Sequence, residues 1–292
     1  MRTLKTDDGV PLHWRQWNKT GMGPARGTVL IVHGLGEHIG RYEHVAAHLN
    51  HWGWHVVGHD QRGHGASGGA RGDLPHNGRF EQDLALVIDE VRADATLGAG
   101  RLVMLGHSMG GLIAARFAAG GLPMTDAGAP PAWFRPLDGL VLSSPALAVD
   151  MSALQRGLLA ATLPLVPHLA VGNGLKPAWI SRSQDVVSAY QQDPLVHNRI
   201  TPTLAAMIAR GGETVLARAA DWTLPTLLMW AGADRCVAPS GSSRFAAAAP
   251  KAVVQTQCFD KLYHEIFNEP EQQQVFERLR QWLERFQTRD GY

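Results

Sequence analysis

Short apolar runs alternate with amphipathic stretches along most of this chain. The runs that predict strands are residues 28–32, 55–58, 102–105, 139–142, 226–230 and 252–259. Helical periodicity predicts helices over residues 41–52, 80–97, 109–119 and 269–286. Residues 28–32 are continuously apolar, as expected for a strand that is covered by helices on both faces. Strands that alternate with helices predict an α/β fold with a mostly parallel sheet and right-handed crossovers.

The alternation has two exceptions. At the start, short runs at residues 4–6 and 12–17 flank an Asp-Asp-Gly turn, which predicts a hairpin. Later, residues 144–221 hold no convincing buried strand, only apolar helical pieces. These pieces are interrupted by prolines at positions 164, 167, 177, 194 and 202. We therefore expect a core formed by residues 1–145 and 221–292, with residues 146–220 inserted between two late strands as a helical cap.

Composition narrows the class of protein. The 292 residues are 45% hydrophobic with a formal net charge of +1, which allows one full core and gives no electrostatic reason to expect nucleic-acid binding. The histidines are scattered without metal-ligand spacing, so we expect no metal and no cofactor. Cys236 and Cys258 form no disulfide framework. The N-terminus is polar and no long apolar run occurs, so we expect a cytoplasmic protein. Peripheral membrane contact remains open.

The strongest chemical signal is the pentapeptide at residues 106–110, Gly-His-Ser-Met-Gly. An apolar strand ends at this motif and a helix begins directly after it, which is the setting of a nucleophile elbow. Such an elbow places Ser108 at a helix N-terminus, where free amides favour developing negative charge. We therefore expect Ser108 to be a nucleophile rather than a capping residue in a glycine-rich turn.

A serine nucleophile needs a base, and the base needs an orienting acid. In folds with this elbow the partners follow in the order Ser, Asp, His, each in a loop after a strand. Asp234 follows the strand at 226–230, and His264 lies between the last strand and the last helix. Asp221 precedes its strand and Asp260 shares the histidine's loop, so both are poorer candidates.

Two backbone amides are needed to hold the oxyanion of an acyl-transfer intermediate. One is expected from Met109, the residue after the nucleophile. The other is expected from Leu35, in the loop that follows the strand at residues 28–32.

Four ordered segments resemble the monoglyceride lipases and related lysophospholipase-like α/β-hydrolases. Residues 33–42 are similar to the family's HGxxEHxxRY signature, and residues 58–67 to its GxDxRGHGxS segment. Residues 106–111 read GHSMGG as in that family, and the HEIFNE run from His264 resembles the segment around its histidine. The similarity extends into the insertion at Asp-Pro-Leu-Val-His, residues 193–197.

The resemblance implies a cap over a hydrophobic acyl channel with a polar end for the alcohol. Leucines of the insertion, among them Leu147 and Leu158, would line that channel, or they would pack the cap onto the core. Glu37 and Arg41 match positions associated with the polar head of the substrate, although they could instead form a buried ion pair that braces the oxyanion loop. Phe267 stands where the family has a further polar residue.

These features favour a serine ester hydrolase that works through an acyl-enzyme on a lipid ester, either a monoacylglycerol or a lysophospholipid. Ser108 excludes the hydrolases that use a carboxylate nucleophile. A short-chain carboxylesterase is an alternative, as is an aminopeptidase-like amidase in which Glu37 would hold the amino group. A non-catalytic relative is a third class. The sequence leaves the oligomeric state open.

Overall fold

The computed structural model describes residues 2–122 and 129–286. Its central sheet has eight strands in the spatial order β1 (Arg2–Lys5), β2 (Pro11–Trp17), β4 (Trp54–His59), β3 (Gly27–Val32), β5 (Arg101–His107), β6 (Gly139–Ser143), β9 (Thr226–Ala231) and β10 (Val254–Phe259). Strands β1 and β2 pair antiparallel, β2 joins β4 antiparallel, and the remaining pairs are parallel. The predicted mostly parallel α/β sheet and the N-terminal hairpin are both present.

The sheet is buried on both faces, which explains its apolar strands. Successive residues of β3 point to opposite faces, so Leu30 and Val32 enter one hydrophobic cluster while Val29 and Ile31 enter another. The first cluster is completed by α2 (Arg79–Ala93), α3 (Met109–Ala119) and α7 (Pro239–Ala248). The second is completed by α1 (Glu43–His51) and α8 (Gln272–Leu283).

Several helix ends differ from the prediction. Helix α2 stops at Ala93, not at residue 97, because the Asp94 carboxylate accepts hydrogen bonds from the amides of Thr96 and Leu97 and turns the chain. A 3₁₀ turn, Ile39–Tyr42, precedes α1. Helix α7 was not predicted, because it buries little beyond Phe245 and two small residues and so has no clear apolar period.

The insertion lies between β6 and β9. It contains α4 (Ala153–Leu165), α5 (Gln184–Gln192), α6 (Pro202–Ala217) and a small antiparallel pair, β7 (Val171–Gly172) with β8 (Arg199–Ile200). The pair was not predicted, since each strand has only two residues. Helix α6 packs on α3, whereas α4 has no buried residue. The cap boundaries at residues 146 and 220 remain a prediction. No described helix is long and apolar enough to cross a membrane.

Candidate active site

Ser108 occupies a sharp turn between β5 and α3. Its φ of 55° is unusual for a residue with a side chain, and hydrogen bonds hold it there: its N–H donates to Ser143 O at 3.0 Å and its carbonyl accepts from Ala146 N at 3.0 Å. The main chain packs so closely around Ser108 that the flanking positions 106 and 110 have no room for a side chain. A Cβ on Gly110 would lie 2.2 Å from the carbonyl oxygen of Val32, at the end of β3. The elbow is thus packed directly against the loop that carries Leu35.

The structure brings Ser108, His264 and Asp234 into one hydrogen-bonded relay. His264 Nε2 lies 2.8 Å from Ser108 Oγ, and His264 Nδ1 lies 2.6 Å from Asp234 Oδ2. With Nδ1–H donating to the carboxylate, Nε2 is free to accept the hydroxyl proton of the serine. Burial alone would lower the pKa of His264, but the Asp234 carboxylate beside it holds that pKa above its usual value.

The acid is itself fixed in place. Asp234 follows β9, and its Oδ1 accepts hydrogen bonds from the amides of Cys236 at 2.8 Å and Val237 at 3.1 Å. The loop after β9 runs against the loop after β10, where a Cβ on Gly232 would lie 2.5 Å from Asp260 Cα. The rejected candidate Asp221 pairs with Arg218 instead. Both loops therefore meet at the carboxyl edge of the sheet, as the order of elements predicts.

The two residues expected to supply oxyanion amides also lie at Ser108. Met109 is the first residue of α3, and Leu35 lies in the loop after β3. Leu35, Ser108 and Met109 line one cavity together. Amides at a helix start and in a loop after a strand are the usual donors for a negatively charged oxygen in this kind of site.

Glu37 and Arg41 belong to a buried ionic network. Glu37 Oε1 accepts from Gly34 N at 2.5 Å and from Tyr42 Oη at 2.8 Å, while Oε2 accepts from Arg41 at 2.8 Å. Arg41 also binds both oxygens of Glu265, at 2.6 and 2.8 Å. These contacts occupy both oxygens of Glu37 and favour its role as a brace.

The charges in this network stabilise one another. Burial alone would raise the pKa of Glu37, but the nearby Arg41 cation lowers it to about 2. Glu265 likewise has a lowered pKa in spite of its burial, because of the same guanidinium. Glu265 was not predicted as a site residue, although its position directly after His264 placed it near the active site. Through Arg41 the loop of Leu35 and the loop of His264 are tied together.

Two cavities meet at Ser108 and share Leu35, Asn173, Leu175 and Cys236 in their walls. The first has a volume of about 590 Å³ and the more polar wall of the two, which includes Lys176, Tyr190, Gln191, His197, Asn198 and Arg199 beside apolar residues such as Ile180 and Val196. The second has a volume of about 480 Å³ and the more apolar wall, which includes Met151, Trp179, Ile200, Ile208 and Val237, although Asp150, Gln155 and Arg235 also line it. An elongated substrate with one polar and one apolar end would fit with its reactive bond at Ser108.

The structure places Leu147 and Leu158 away from Ser108, and Leu147 packs onto the core, the second of the two alternatives. Leu147 is 1% exposed and belongs to the core cluster beneath α6, where its carbonyl lies against Gly212. Leu158 is 61% exposed on α4. Neither side chain lines the two cavities at Ser108. The sequence indicated apolar helical pieces in the insertion, but it could not say which way their apolar side chains are turned.

Among residues 2–122 and 129–286, one group of three side chains has the spacing of metal ligands: Asp234, Cys236 and His264, with ligand atoms within 4.8 Å of one another. In this group Asp234 already binds His264, and His264 binds Ser108. Burial raises the pKa of the Cys236 thiol well above its usual value, which disfavours the thiolate that metals bind. The arrangement suits proton transfer better than metal coordination.

Comparison with known proteins identifies the family. The sequence model of the family described as serine aminopeptidase S33 matches residues 23–271. The chain belongs to this family. A monoacylglycerol lipase from Mycolicibacterium smegmatis is 34% identical over 262 residues, which cover 88% of both chains. A phospholipase from Bacillus subtilis, YtpA, is 30% identical over 88% of this chain and 95% of its own length.

Two further relatives extend the comparison. The crystal structure of a monoacylglycerol lipase from Paleococcus ferrophilus superimposes with a TM-score of 0.79 at 31% identity, over 94% of this chain and 99% of that one. An uncharacterized abhydrolase domain-containing protein from Dictyostelium discoideum is 31% identical over 96% of this chain, which spans 28% of that longer protein. This S33 family member is therefore an α/β-hydrolase and an ester hydrolase, as the sequence predicted.

Proposed function

We propose that this S33 hydrolase cleaves monoacylglycerols, with Ser108 as nucleophile, His264 as general base and Asp234 as the orienting acid. The observation that carries the proposal is the relay of 2.8 and 2.6 Å contacts at the point where a polar and an apolar cavity meet. The likeness to monoacylglycerol lipases from two other organisms supports the choice of substrate.

In this mechanism Ser108 Oγ attacks the ester carbonyl while its proton passes to His264 Nε2. The carbonyl oxygen becomes an oxyanion that accepts hydrogen bonds from the amides of Leu35 and Met109. The His264 imidazolium, stabilised by Asp234, then protonates the departing glycerol oxygen, and an acyl-enzyme remains. Water, deprotonated by the same imidazole, attacks the acyl-enzyme and releases the fatty acid.

The two cavities suit the two halves of such a substrate. The acyl chain would lie in the cavity walled by Met151, Trp179 and Ile208, and each buried methylene would contribute about 0.8 kcal/mol to binding. The glycerol would lie on the other side of Ser108, where Gln191 and Asn198 offer amide donors and acceptors. Chain-length preference should therefore follow the size of the apolar cavity.

A lysophospholipid is the second candidate. The polar cavity includes the cationic residues Lys176 and Arg199 in its wall, and a phosphodiester head would place a negative charge near them. The likeness to a bacterial phospholipase is consistent with this alternative. The aminopeptidase alternative loses support, since Glu37 is occupied by Gly34, Tyr42 and Arg41.

Membrane contact through the cap and a cytoplasmic location are also proposals. Helix α4 exposes Leu154, Leu158 and Leu165, which share one face at helical spacing. Exposed apolar side chains of this kind could enter the surface of a lipid aggregate that holds the substrate. The two cysteines are free, as is usual for cytoplasmic proteins.

The proposal is tested by product release from a panel of substrates, with wild type beside Ser108→Ala. The panel contains monoacylglycerols of several chain lengths, lysophosphatidylcholine, short nitrophenyl esters and an aminoacyl amide. We expect monoacylglycerols to be cleaved fastest and the variant to be inactive and unlabelled by a fluorophosphonate. Turnover confined to short esters would contradict the assignment of an acyl cavity, and an active variant would contradict the role of Ser108.

A further inference from the structure

The segment of the cap at residues 193–197 makes direct contact with the loop that follows β3. His197 N–H donates to the carbonyl of Gly36 at 2.9 Å, and a Cβ on Gly36 would lie 2.3 Å from the carbonyl oxygen of His197. Gly36 has a φ of +77°, which favours glycine for a second reason. The cap backbone therefore lies against the residue next to Leu35, with no room for a side chain between them.

A side-chain contact reinforces this main-chain contact. Asp193 Oδ2 lies 2.8 Å from His38 Nε2. Because His38 Nδ1 accepts the amide of Gly40 at 3.2 Å, the proton of a neutral His38 is on Nε2, which donates to Asp193. The other oxygen of Asp193 accepts the amide of Leu195 at 2.9 Å and so shapes the turn that leads to His197.

The turn is also anchored to the core beyond the oxyanion loop. The imidazole of His197 packs on that of His64 with ring centroids 4.7 Å apart, and His64 is fully buried. His197 Nδ1 accepts the amide of Arg199, which leads into β8. With both of its ends held, the turn can act as a rigid support for residues 35–38.

We propose that Asp193 is a positioning residue, which holds the cap turn against the oxyanion loop and thereby fixes the Leu35 amide relative to Ser108. The inference rests on the proposed function, since it assigns a task to a cap residue in that same acyl-transfer reaction. Asp193 also lines the first cavity at Ser108, but in this role it acts on the reacting bond indirectly, through His38 and Gly36. The packing of the cap turn against residues 35–38 would then also complete the oxyanion hole.

The chain offers a fold-conserving variant and a matched control. Asp193→Asn keeps the size of the side chain but provides only one acceptor oxygen for two donors, the Leu195 amide and His38 Nε2–H. The control is His168→Ala, which also removes a contact between cap and core. His168 Nδ1 lies 3.0 Å from Asp73, a residue outside the oxyanion loop, and its side chain is 51% exposed.

The experiment measures kcat and KM on a soluble short-chain ester and the inhibition constant of a trifluoromethyl ketone. Addition of Ser108 to this ketone gives an oxyanion in the same hole, so the ketone reports on the Leu35 amide without turnover. For Asp193→Asn we expect kcat/KM to fall about tenfold or more, through kcat, and ketone binding to weaken by the same factor. His168→Ala should leave both values within about twofold of wild type.

Equal losses in both variants would overturn the proposal, because any weakening of the cap would then suffice. A rise in KM with unchanged kcat and ketone binding would overturn it too, since Asp193 would then contact the substrate. If wild type cleaves no ester and resists fluorophosphonate labelling, the proposed function itself is wrong and the inference falls with it. A lowered melting temperature of Asp193→Asn with normal kcat and ketone binding would leave only a structural role and would refute positioning.

Discussion

The guanidinium of Arg41 forms a bidentate ion pair with the Glu265 carboxylate, with N–O distances of 2.6 and 2.8 Å. The same guanidinium binds Glu37 and lies over the ring of Tyr190 in the cap, 4.8 Å from its centroid. Arg41 thus contacts the loop after β3, the loop of His264 and helix α5. Its many partners make it a structural centre of the active site, whatever it does for the substrate.

Replacing Arg41 should therefore destabilise the fold. Arg41→Ala leaves two buried carboxylates without their cation, and we expect a loss of about 3–5 kcal/mol in the free energy of unfolding. Denaturant titration measures that loss. The matched control is Arg15→Ala, which removes an exposed ion pair with Glu43 and should cost about 1 kcal/mol or less. A stable Arg41→Ala enzyme with only a raised KM would instead indicate that Arg41 binds the substrate head.

The raised pKa of His264 predicts the acid limb of the pH profile. His264 must be neutral to accept the proton of Ser108, so activity is lost as the pH falls through its pKa. Because Asp234 holds that pKa above the ordinary 6.5, the midpoint of the acid limb of kcat/KM should lie above 6.5. A midpoint near 5 would contradict the geometry of the relay.

Asp234→Asn provides the paired measurement. The amide removes the negative charge and favours the wrong imidazole tautomer, so kcat should fall by about 10⁴-fold. The acid limb of the remaining activity should move to lower pH, because the imidazolium has lost its carboxylate. An unmoved midpoint would mean that another group sets the profile.

Two glycine-to-alanine changes test the packing of the elbow. At Gly110 a Cβ would lie 2.2 and 2.3 Å from the carbonyl oxygens of Val32 and His33, so Gly110→Ala should lower both stability and activity. At Gly157, inside α4, an added Cβ would meet no atom within 4 Å other than those of the adjacent residues and the backbone of its own helix. Gly157→Ala should stabilise the protein by about 0.5–1 kcal/mol, and thermal melting of both variants checks the contrast. A tolerated alanine at Gly110 would refute the close approach of β3 to α3.

The exposed face of α4 predicts binding to lipid surfaces. The double change Leu158→Gln and Leu165→Gln should weaken binding to phosphatidylcholine–phosphatidylglycerol vesicles at least about tenfold, since each buried leucine contributes about 1.5–3 kcal/mol. Activity on a soluble ester should be unchanged. Met22→Gln, which alters a fully exposed apolar side chain outside the cap, should not affect vesicle binding. Equal binding of all three proteins would exclude α4 as the contact.

Sequence patterns predicted the sheet well, because its strands are buried on both faces and bounded by motifs. They also selected Ser108, Asp234 and His264 from their order along the chain. The network around Arg41 was only partly visible, since the contact with Glu265 joins residues 224 positions apart. The orientation of the cap was not predictable for a similar reason. Contacts between distant segments decide how α4 is rotated about its axis, and so whether Leu158 is exposed. They also decide that Leu147 lies in the core, and hydrophobic periodicity does not record such contacts.

The backbone of Ser108 is held at a φ that glycine adopts more readily than serine. A glycine at this position would relieve the conformational penalty and would also remove the hydroxyl group. Selection for thermal robustness and selection for turnover therefore oppose each other at this one residue. The surrounding contacts to Ser143 and Ala146, together with the closely packed glycines, are the compensation that lets an intrinsically unfavourable conformation persist in the native state.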